Sequence, residues 1–302
     1  AAAGRLVVVT GATSGIGLAA ARLLWDLGAW VCLVGRDAGR LERARQHVEA
    51  GSGSSAVLTE QADLSDLEQA AGLARRLNRR FGAIDVLVHN AGALLPERRA
   101  SPQGHEATVA LHVLSPFVLT EALLGCLARS RPAAVIAVTS GGMYTQRFRL
   151  ADLAQGPQPY RGAVAYARAK RAQVVLCREW QRRHSGSGVH FAAVNPGWVD
   201  TPGLASGMPT FARVMGPVLR SPDQGADTVV WLAGTPGPIR PGGRLWLDRR
   251  PRLDHRLPWT LPGPGGQDRD GRELWDWCWA QAGEFVPAEL RSQAGPPAGP
   301  AR

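Results

Sequence analysis

Short apolar runs alternate with longer amphipathic stretches along the first 250 residues. Seven runs have the length and β-branched content of strands: "LVVVT", "AWVCLVGR", "SAVLTEQADL", "IDVLVHNAG", "AAVIAVTSGG", "VHFAAVNPG" and "GGRLWLD". Segments with helical periodicity lie between them, as in "LSDLEQAAGLARRLNRRFG", where Ser65 and Glu68 have the spacing of a helix cap. Strands that alternate with such helices form parallel βαβ units. The pattern predicts an α/β fold, a doubly wound parallel sheet of about seven strands with helices on both faces.

The composition of the sequence changes near residue 250. Residues 1–250 are predicted to form one domain, and residues 251–302 a C-terminal extension rich in proline, glycine and tryptophan. Within the extension, "RELWDWCWAQAGEF" predicts a short helix that carries Trp275, Trp277 and Trp279. These tryptophans either pack the helix onto the sheet or form a membrane contact or a substrate lid. The last eight residues, "GPPAGPAR", have the composition of a disordered tail.

Composition excludes some classes of function. The net charge of +10 would suit a nucleic-acid partner, but the arginines are interspersed with acidic residues, so no nucleic acid is expected. The four cysteines lack metal-ligand spacing, which favours an intracellular setting and predicts no metal site. No uninterrupted apolar run reaches membrane-spanning length, and the first ten residues lack a signal peptide. An upstream anchoring segment, peripheral membrane association and the oligomeric state stay open.

A glycine-rich loop, "TGATSGIG", lies between the first strand and the first helix. Glycines at this spacing allow a tight turn and a close approach of backbone to a pyrophosphate, which the helix N-terminus attracts. The loop therefore predicts a Rossmann-like dinucleotide site. The residues expected to contact the cofactor here are Thr10, Gly11, Ser14, Gly15, Ile16 and Gly17.

The end of the second strand indicates which dinucleotide binds. An acidic residue at this place suits the ribose hydroxyls of NAD, whereas arginine suits the 2′-phosphate of NADP. The sequence here is "LVGRD", with Gly35 followed by Arg36. NADP(H) is therefore favoured over NAD. Asp37 is either an acidic ligand or the cap of the following helix.

The pentapeptide "YARAK" contains Tyr166 and Lys170, the only lysine of the chain. Residues four apart on a helix share one face. An ammonium beside a phenol lowers the pKa of the phenol and makes it a better proton donor and acceptor. A compact ammonium also suits ribose hydroxyls better than a guanidinium does. The alternative is an exposed Tyr–Lys pair without a chemical role.

Ser140, in "VTSGG" at the end of the fifth strand, is either a turn residue or a hydroxyl that orients a substrate carbonyl beside Tyr166. The glycine loop, "NAG" at 90–92, this serine and the Tyr-x-x-x-Lys motif occur in the order that resembles the short-chain dehydrogenase/reductase family. The resemblance covers residues 5 to about 248. Longer stretches, among them "YARAKRAQVVLCREW" and "PGWVDTPG", resemble one vertebrate member of that family.

The resemblance implies further site residues. Asn90, Ala91 and Gly92 would stabilise the sheet centre near the cofactor, Asp63 and Leu64 would border the adenine, and Pro196, Gly197 and Thr201 would cover the nicotinamide end. Residues 201–222 would form a substrate-covering segment, whose Met, Phe, Leu and Val side chains suit a small apolar carbonyl or alcohol.

Two residues depart from the family pattern in the helix before the fifth strand. His112 occupies the place of an asparagine that, in similar proteins, holds a water in a proton relay to the lysine. It is either a replacement in that relay or a core histidine. Pro116 lies inside the same helix and is expected to kink it.

Two hypotheses of function follow. The first is an NADP(H)-dependent oxidoreductase, in which Ser140 orients the substrate oxygen, Tyr166 exchanges the proton and Lys170 tunes Tyr166. The second is a catalytically weak or inactive protein that uses the fold to bind NADP(H) or a lipid, because a fold alone does not establish catalysis.

Overall fold

The computed structural model describes residues 2–53, 56–155, 158–207, 213, 215–235 and 242–291. Its centre is one sheet with the strand order β3-β2-β1-β4-β5-β6-β7-β8. The strands are β1 Leu6–Thr10, β2 Trp30–Gly35, β3 Val57–Gln61, β4 Val86–His89, β5 Ala133–Val138, β6 Val189–Val194, β7 Arg244–Leu247 and β8 Arg250–Arg252. All neighbours pair in parallel except β7 and β8. The doubly wound parallel sheet predicted from the sequence is confirmed.

The eighth strand was not predicted. It pairs with β7 in an antiparallel hairpin whose two loop residues, Asp248 and Arg249, have φ of 55° and 56°. Left-handed conformation at both loop positions matches the twist of a tight hairpin and is usually supplied by Asn-Gly or Asp-Gly. The sequence has Arg249 at the loop position where a glycine would have predicted the hairpin.

Ten helices are described. They are α1 Gly15–Asp26, α2 Ala38–Glu49, α3 Leu67–Arg80, α4 Ala107–Arg129, α5 Leu150–Gln155, α6 Gly162–Arg183, α7 Pro202–Gly207, α8 Pro222–Gly234, α9 Gly266–Ala282 and α10 Ala288–Arg291. Single 3₁₀ turns occur at Gly141–Thr145, Gly216–Val218, Pro258–Thr260 and Gly283–Phe285.

The sheet buries both of its faces. Along β1, Leu6 and Val8 belong to one apolar cluster, and Val7 and Val9 belong to the other. Successive side chains of a strand point to opposite faces, so an all-apolar strand needs cover on both. Helices α1, α2 and α8 cover one face, while α3, α4, α6 and α9 cover the other.

Helix α3 begins one residue later than its sequence cap predicts. Asp66 is the N-cap, and its carboxylate accepts a hydrogen bond from the Glu68 N–H at 3.0 Å. The Ser65 hydroxyl instead donates to Asp63 at 2.7 Å. The capping role assigned to Ser65 is therefore wrong, because the preceding loop takes up that hydroxyl.

Helix α4 is long and apolar enough, by length and composition, to cross a membrane. Its apolar residues do not form an uninterrupted run, because Thr108, His112 and Glu121 lie among them. Most of the helix is buried within the protein, including Phe117, Leu119 and Leu123. It is a core helix between α3 and α6.

The extension after residue 250 shares this core. Leu274, Trp275 and Cys278 of α9 are buried in the cluster that also contains α4 and α6. The Phe117 ring meets Trp275 and Trp279 edge-on, with centroid distances of 5.3 and 5.2 Å. The packing interpretation of the tryptophan-rich helix is therefore correct for Trp275, while Trp277 and Trp279 are partly buried. The predicted disordered tail lies outside the described residues.

Candidate active site

The predicted site residues gather at the carboxyl edge of the sheet. From β1 the chain winds outwards to β2 and β3, and from β4 it winds in the other direction. The crevice between β1 and β4 is therefore a topological switch point, the place where doubly wound sheets bind ligands. The glycine loop follows β1, the "NAG" segment follows β4, and Ser140 follows β5.

Two glycines of the loop have no substitute. Gly11 has φ of +65°, and a Cβ on it would lie 2.7 Å from the Ala91 Cα. A Cβ on Gly17 would collide with the Asn90 side chain and with the Gly11 carbonyl. The loop and the "NAG" segment are thus packed backbone to backbone.

The start of helix α1 suits an anion. The Ser14 side chain occupies the N-cap position without a capping hydrogen bond to the helix. The first amides of a helix have no intrahelical acceptor and lie at its positive end. Gly15 and Ile16 are the first helical residues. The glycine loop, residues 10–17, and this helix start form a cradle that fits the pyrophosphate of a dinucleotide.

Thr10 supports this cradle from below. Its buried hydroxyl donates to the Val88 carbonyl at 3.1 Å and accepts from the Asn90 and Ala91 N–H groups, each at 3.0 Å. The Asn90 side-chain amide in turn donates to the Thr10 and Gly11 carbonyls at 2.9 and 3.1 Å. These contacts hold Asn90 and Ala91 against the glycine loop, and their role near a cofactor stays a prediction. The Thr10 side chain is used inside the protein, so contact with a cofactor stays a prediction for its backbone only.

The end of β2 presents the exposed side chain of Arg36. The Asp37 carboxylate accepts a hydrogen bond from the Arg40 N–H at 2.7 Å and caps helix α2. The capping interpretation of Asp37 is therefore correct. A cavity of about 250 Å³ lies beside the glycine loop and is lined by Thr13, Leu18, Arg40, Arg43, Ala44 and His47. The basic side chains from α2 were missed, although their spacing places them on the helix face nearest the loop.

Asp63 and Leu64 lie after β3. The Asp63 carboxylate accepts from the N–H and the hydroxyl of Ser65 at 2.9 and 2.7 Å, and Leu64 is buried. Asp63 therefore holds its own loop in shape. The adenine-bordering role of both residues stays a prediction.

Ser140 and Tyr166 are brought together. The Ser140 hydroxyl accepts a hydrogen bond from the Gly142 N–H at 3.2 Å and hydrogen-bonds the Tyr166 hydroxyl. Ser140 precedes the 3₁₀ turn Gly141–Thr145, and Tyr166 lies on α6. Two hydroxyls in contact at the carboxyl edge can bind one carbonyl oxygen together.

Lys170 lies one helical turn below Tyr166, almost completely buried. Its ammonium donates to the Val138 carbonyl at 2.8 Å and lies 5.5 Å from the Tyr166 ring centre. Burial lowers the pKa of Lys170 to about 7 and raises the pKa of Tyr166 to about 12, although the Ser140 hydrogen bond acts against the latter change. Burial thus acts on the pKa of Tyr166 in the direction opposite to the effect expected from Lys170, whose lowering of that pKa stays a prediction.

His112 lies beside both residues. Its ring meets the Tyr166 ring edge-on at 5.3 Å. Since a carbonyl only accepts, Nδ1–H donates to the Thr108 carbonyl at 2.7 Å, and Nε2 accepts from the Ala93 N–H at 3.3 Å. Burial and the charge of Lys170 hold the pKa of His112 well below its ordinary value. The histidine is therefore neutral with one defined tautomer.

The helix irregularity expected at Pro116 lies just before it. Residues Ala110–Leu114 form a π turn inside α4, and regular helix resumes at Ser115. The Ser115 N–H bonds the Ala110 carbonyl, five residues back. Single π turns of this kind are frequent at functional sites, and this one places His112 in the crevice.

The loop after β6 completes the crevice. Gly197 has φ of +80°, and its N–H donates to Asn195 at 3.0 Å. A Cβ on Gly15 would lie 3.1 Å from the Thr201 methyl group, so Thr201 lies next to the glycine loop. Pro196 is buried. Part of the predicted substrate-covering segment, residues 208–212 and 214, lies outside the described residues.

Comparisons with known proteins agree with this geometry. The family profile described as short chain dehydrogenase matches residues 5–209. The chain is 37% identical over 253 residues to human dehydrogenase/reductase SDR family member 12, which covers 83% of this chain and 79% of that protein. It is 33% identical over 247 residues to retinol dehydrogenase 12 of Bos taurus, covering 81% and 78%.

A solved structure from Beutenbergia cavernae, described as an NAD(P) dependent gluconate 5-dehydrogenase with bound NADP at low occupancy, superposes with a TM-score of 0.66. It is 26% identical and covers 80% of this chain and 94% of that one. The fold, the ordered motifs and these similarities agree, and the chain belongs to the short-chain dehydrogenase/reductase family.

Proposed function

We propose that this family oxidoreductase uses NADP(H) to interconvert a carbonyl and an alcohol on a small apolar substrate. The observation that carries the proposal is the contact between the Ser140 and Tyr166 hydroxyls, one helical turn from the buried Lys170. This group lies at the same sheet edge as the glycine cradle. A substrate oxygen bound by the two hydroxyls would therefore lie near a dinucleotide held by the cradle.

The residues divide the chemistry among them. A bound nicotinamide supplies or accepts the hydride. Ser140 donates a hydrogen bond to the substrate oxygen, and Tyr166 gives that oxygen a proton in reduction or removes it in oxidation. Because burial raises the pKa of Tyr166 to about 12, the phenol is fully protonated at neutral pH and is ready as an acid. Oxidation needs the phenolate, which a protonated Lys170 stabilises.

Arg36 supports NADP(H) over NAD. Its guanidinium is exposed at the end of β2, and the Asp37 carboxylate is already used as a helix cap. Arg40 and Arg43 add positive charge beside the loop. A 2′-phosphate would meet cations here, whereas an NAD ribose would lack its usual acidic partner.

The apolar substrate class rests on two observations. The segment after β6 carries exposed apolar side chains at Trp198 and Val218, and one relative is named for retinol, an apolar alcohol. An intracellular setting with peripheral membrane contact suits such a substrate and forms part of the proposal. Substrates of this class partition into lipid and are taken up at its surface.

Turnover by matched tyrosine variants tests the chemistry. NADPH oxidation is measured with retinal and a series of aliphatic and aromatic aldehydes and ketones, for wild type, Tyr166→Phe and Ser140→Ala. We expect Tyr166→Phe to lose about 10²-fold or more in kcat, the scale of acid–base catalysis. The control is Tyr160→Phe, which is not a predicted site residue and whose hydroxyl donates to Glu106 at 3.1 Å and lies 3.4 Å from the Thr108 hydroxyl. A Tyr166→Phe enzyme as active as the Tyr160→Phe control would refute the proposal.

Calorimetry tests the cofactor. NADPH is expected to bind more tightly than NADH, and Arg36→Ala should narrow the difference. Arg45→Ala is the control, because Arg45 pairs with Glu42 and Glu49 on the outer face of α2. Equal dissociation constants for the two cofactors with wild-type protein would show that NADP(H) is not preferred.

The second candidate is an NADP(H)- or lipid-binding protein without turnover. The observation that favours it is His112, whose two ring nitrogens are already bonded to Thr108 and Ala93, so the relay position has no open hydrogen-bonding atom on the ring. Tight NADPH binding together with no turnover on the whole carbonyl series would select this candidate.

A further inference from the structure

The turn that follows Ser140 is held by a buried arginine. Arg171 on α6 is 1% exposed. Its guanidinium donates to the Met143 carbonyl at 3.0 Å, to the Gln146 carbonyl at 3.0 Å and to the Asp254 carbonyl at 2.6 Å. One side chain thus joins helix α6, the 3₁₀ turn and the segment after β8.

The segment after β8 makes further bonds to the same turn. The Tyr144 hydroxyl donates to the Leu253 carbonyl at 3.1 Å, and the Arg256 guanidinium stacks on the Tyr144 ring at 4.6 Å. The Asp254 carboxylate, also buried, pairs with Arg178 of α6 at 2.5 Å. Residues 253–256 therefore form a strap that binds the turn on one side and α6 on the other.

Loss of the buried hydrogen bonds of Arg171 is expected to destabilise the turn and the strap. Burial lowers the pKa of Arg171, with Asp254 acting in the opposite direction, so the guanidinium depends on its three carbonyl partners and on that acid. Removal of one member of a buried charged network leaves the remaining polar groups unpaired. A shorter side chain at position 171 would release the turn and the strap together.

The turn is in direct contact with the reacting groups. The Gly142 N–H donates to the Ser140 hydroxyl, which bonds the Tyr166 hydroxyl. Arg171 also follows Lys170 directly, so the same helical turn bears both cations. A shift of the turn would move Ser140 relative to Tyr166 while the glycine cradle on the other side of the crevice stays in place.

We infer that Arg171 is a positioning residue: with the strap 253–256 it fixes the Ser140 hydroxyl against the Tyr166 hydroxyl. The inference rests on the proposed function for its kinetic consequence. It makes the first part of the C-terminal extension a functional component of the active site.

The variants are Arg171→Met, Arg171→Lys and Tyr144→Phe, with Arg182→Met as control. Arg182 lies on the same helix, pairs with Glu179 at 2.5 Å and is half exposed. We expect Arg171→Met to lower kcat about tenfold or more, since misplacement of a reacting group by about 1 Å costs on the order of 10²-fold. The NADPH dissociation constant should change by less than about twofold, because the cradle is not touched. Arg171→Lys should recover part of the loss, and Tyr144→Phe should give a smaller loss of the same kind.

The pH profile separates positioning from general destabilisation. The Ser140 hydrogen bond lowers the pKa of Tyr166, and alcohol oxidation needs the phenolate, so kcat rises with pH. Loss of this bond in Arg171→Met should shift the rise of kcat to higher pH. Arg182→Met should keep the wild-type profile. An Arg171→Met enzyme with unchanged kcat and profile would overturn the inference. If Arg171→Met does not fold, Tyr144→Phe provides the test instead. An unchanged kcat in Tyr144→Phe would then contradict the positioning role of the strap.

Amide hydrogen exchange gives a reading that needs no turnover. In Arg171→Met and in Tyr144→Phe, residues 141–146 and 253–256 should exchange faster together, while residues 11–17 keep the wild-type rate. Unchanged exchange in both segments would overturn the inference even for an active enzyme. Absence of turnover in the wild type would overturn the proposed function instead, and the exchange result would still decide whether Arg171 holds the turn.

Discussion

Replacement of Lys170 by arginine keeps the positive charge and changes the shape of the side chain. It therefore tests whether the site needs the compact ammonium. The variant is expected to fold, because the helix and its charge are retained, but to be less stable than the wild type, because Lys170 is buried beside the Val138 carbonyl. Space around the ammonium is limited: a Cβ on Gly92 would lie 3.6 Å from Nζ and 2.8 Å from His112 Nε2. Overpacking of such a site costs about 1–3 kcal/mol. At about 2–4 °C per kcal/mol for a chain of this size, Tm should fall by several degrees.

The pH dependence makes this prediction specific. The folded pKa of Lys170 is about 7 against an ordinary value of 10.5, so between these values the unfolded chain binds more protons than the folded protein. The wild type should therefore gain stability as pH rises from about 7 to about 10.5, by at most about 5 kcal/mol from this group. Arginine keeps its charge in both states. The stability deficit of Lys170→Arg should thus grow as pH rises.

Urea unfolding at pH 7, 8 and 9 measures this deficit, and steady-state kinetics at the same pH values measure turnover. The control is Arg182→Lys, the reverse exchange on the outer face of the same helix. We expect turnover of Lys170→Arg to be lower by on the order of tenfold or more, and its pH optimum to move upward as Tyr166 becomes harder to ionise. A variant with wild-type turnover and a deficit independent of pH would refute both the burial argument and the assigned role.

Three further outcomes are expected. His112→Asn should preserve or raise turnover and shift its pH profile while His112→Leu lowers it, and identical rates in all three proteins would assign His112 to packing. Gly17→Ala should abolish NADPH binding in calorimetry, because the methyl group collides with Asn90, whereas Gly82→Ala, where a Cβ meets open space, should bind normally. Trp275→Ala should lower the free energy of unfolding by about 3–5 kcal/mol in urea titrations, and a loss below 1 kcal/mol would contradict its place in the core.

The hydrophobic pattern was sufficient for the main architecture because both faces of the sheet are buried. Strands such as "LVVVT" are then continuous apolar runs, and the helices between them show apolar residues at the helical period. Features that depend on a single local contact could not be predicted from the hydrophobic pattern. The hairpin at Asp248 and Arg249 lacks the usual glycine, and the cap of α3 depends on which of two adjacent side chains its loop uses.

The motifs pointed to Ser140, Tyr166 and Lys170, which lie together in the structure, because spacing along a helix and position at a strand end are local properties. Their catalytic roles stay a prediction. The effect of burial on the pKa of Tyr166 could not be predicted in this way, because desolvation is a property of the whole fold. Arg171 was missed in the same way. The available signal was a charged residue between the buried Ala167 and Val174 on one helix face.

The hydrogen bonds around Thr10 have a consequence for how a dinucleotide is captured. Because the Thr10 hydroxyl and the Asn90 amide hold the glycine loop through bonds internal to the protein, the cradle has its binding shape before any ligand arrives. Its conformational entropy is therefore lost during folding and is not subtracted from the affinity. Association can then proceed close to the rate of collision, and the lifetime of the complex becomes the main variable through which substitutions in the cradle change binding.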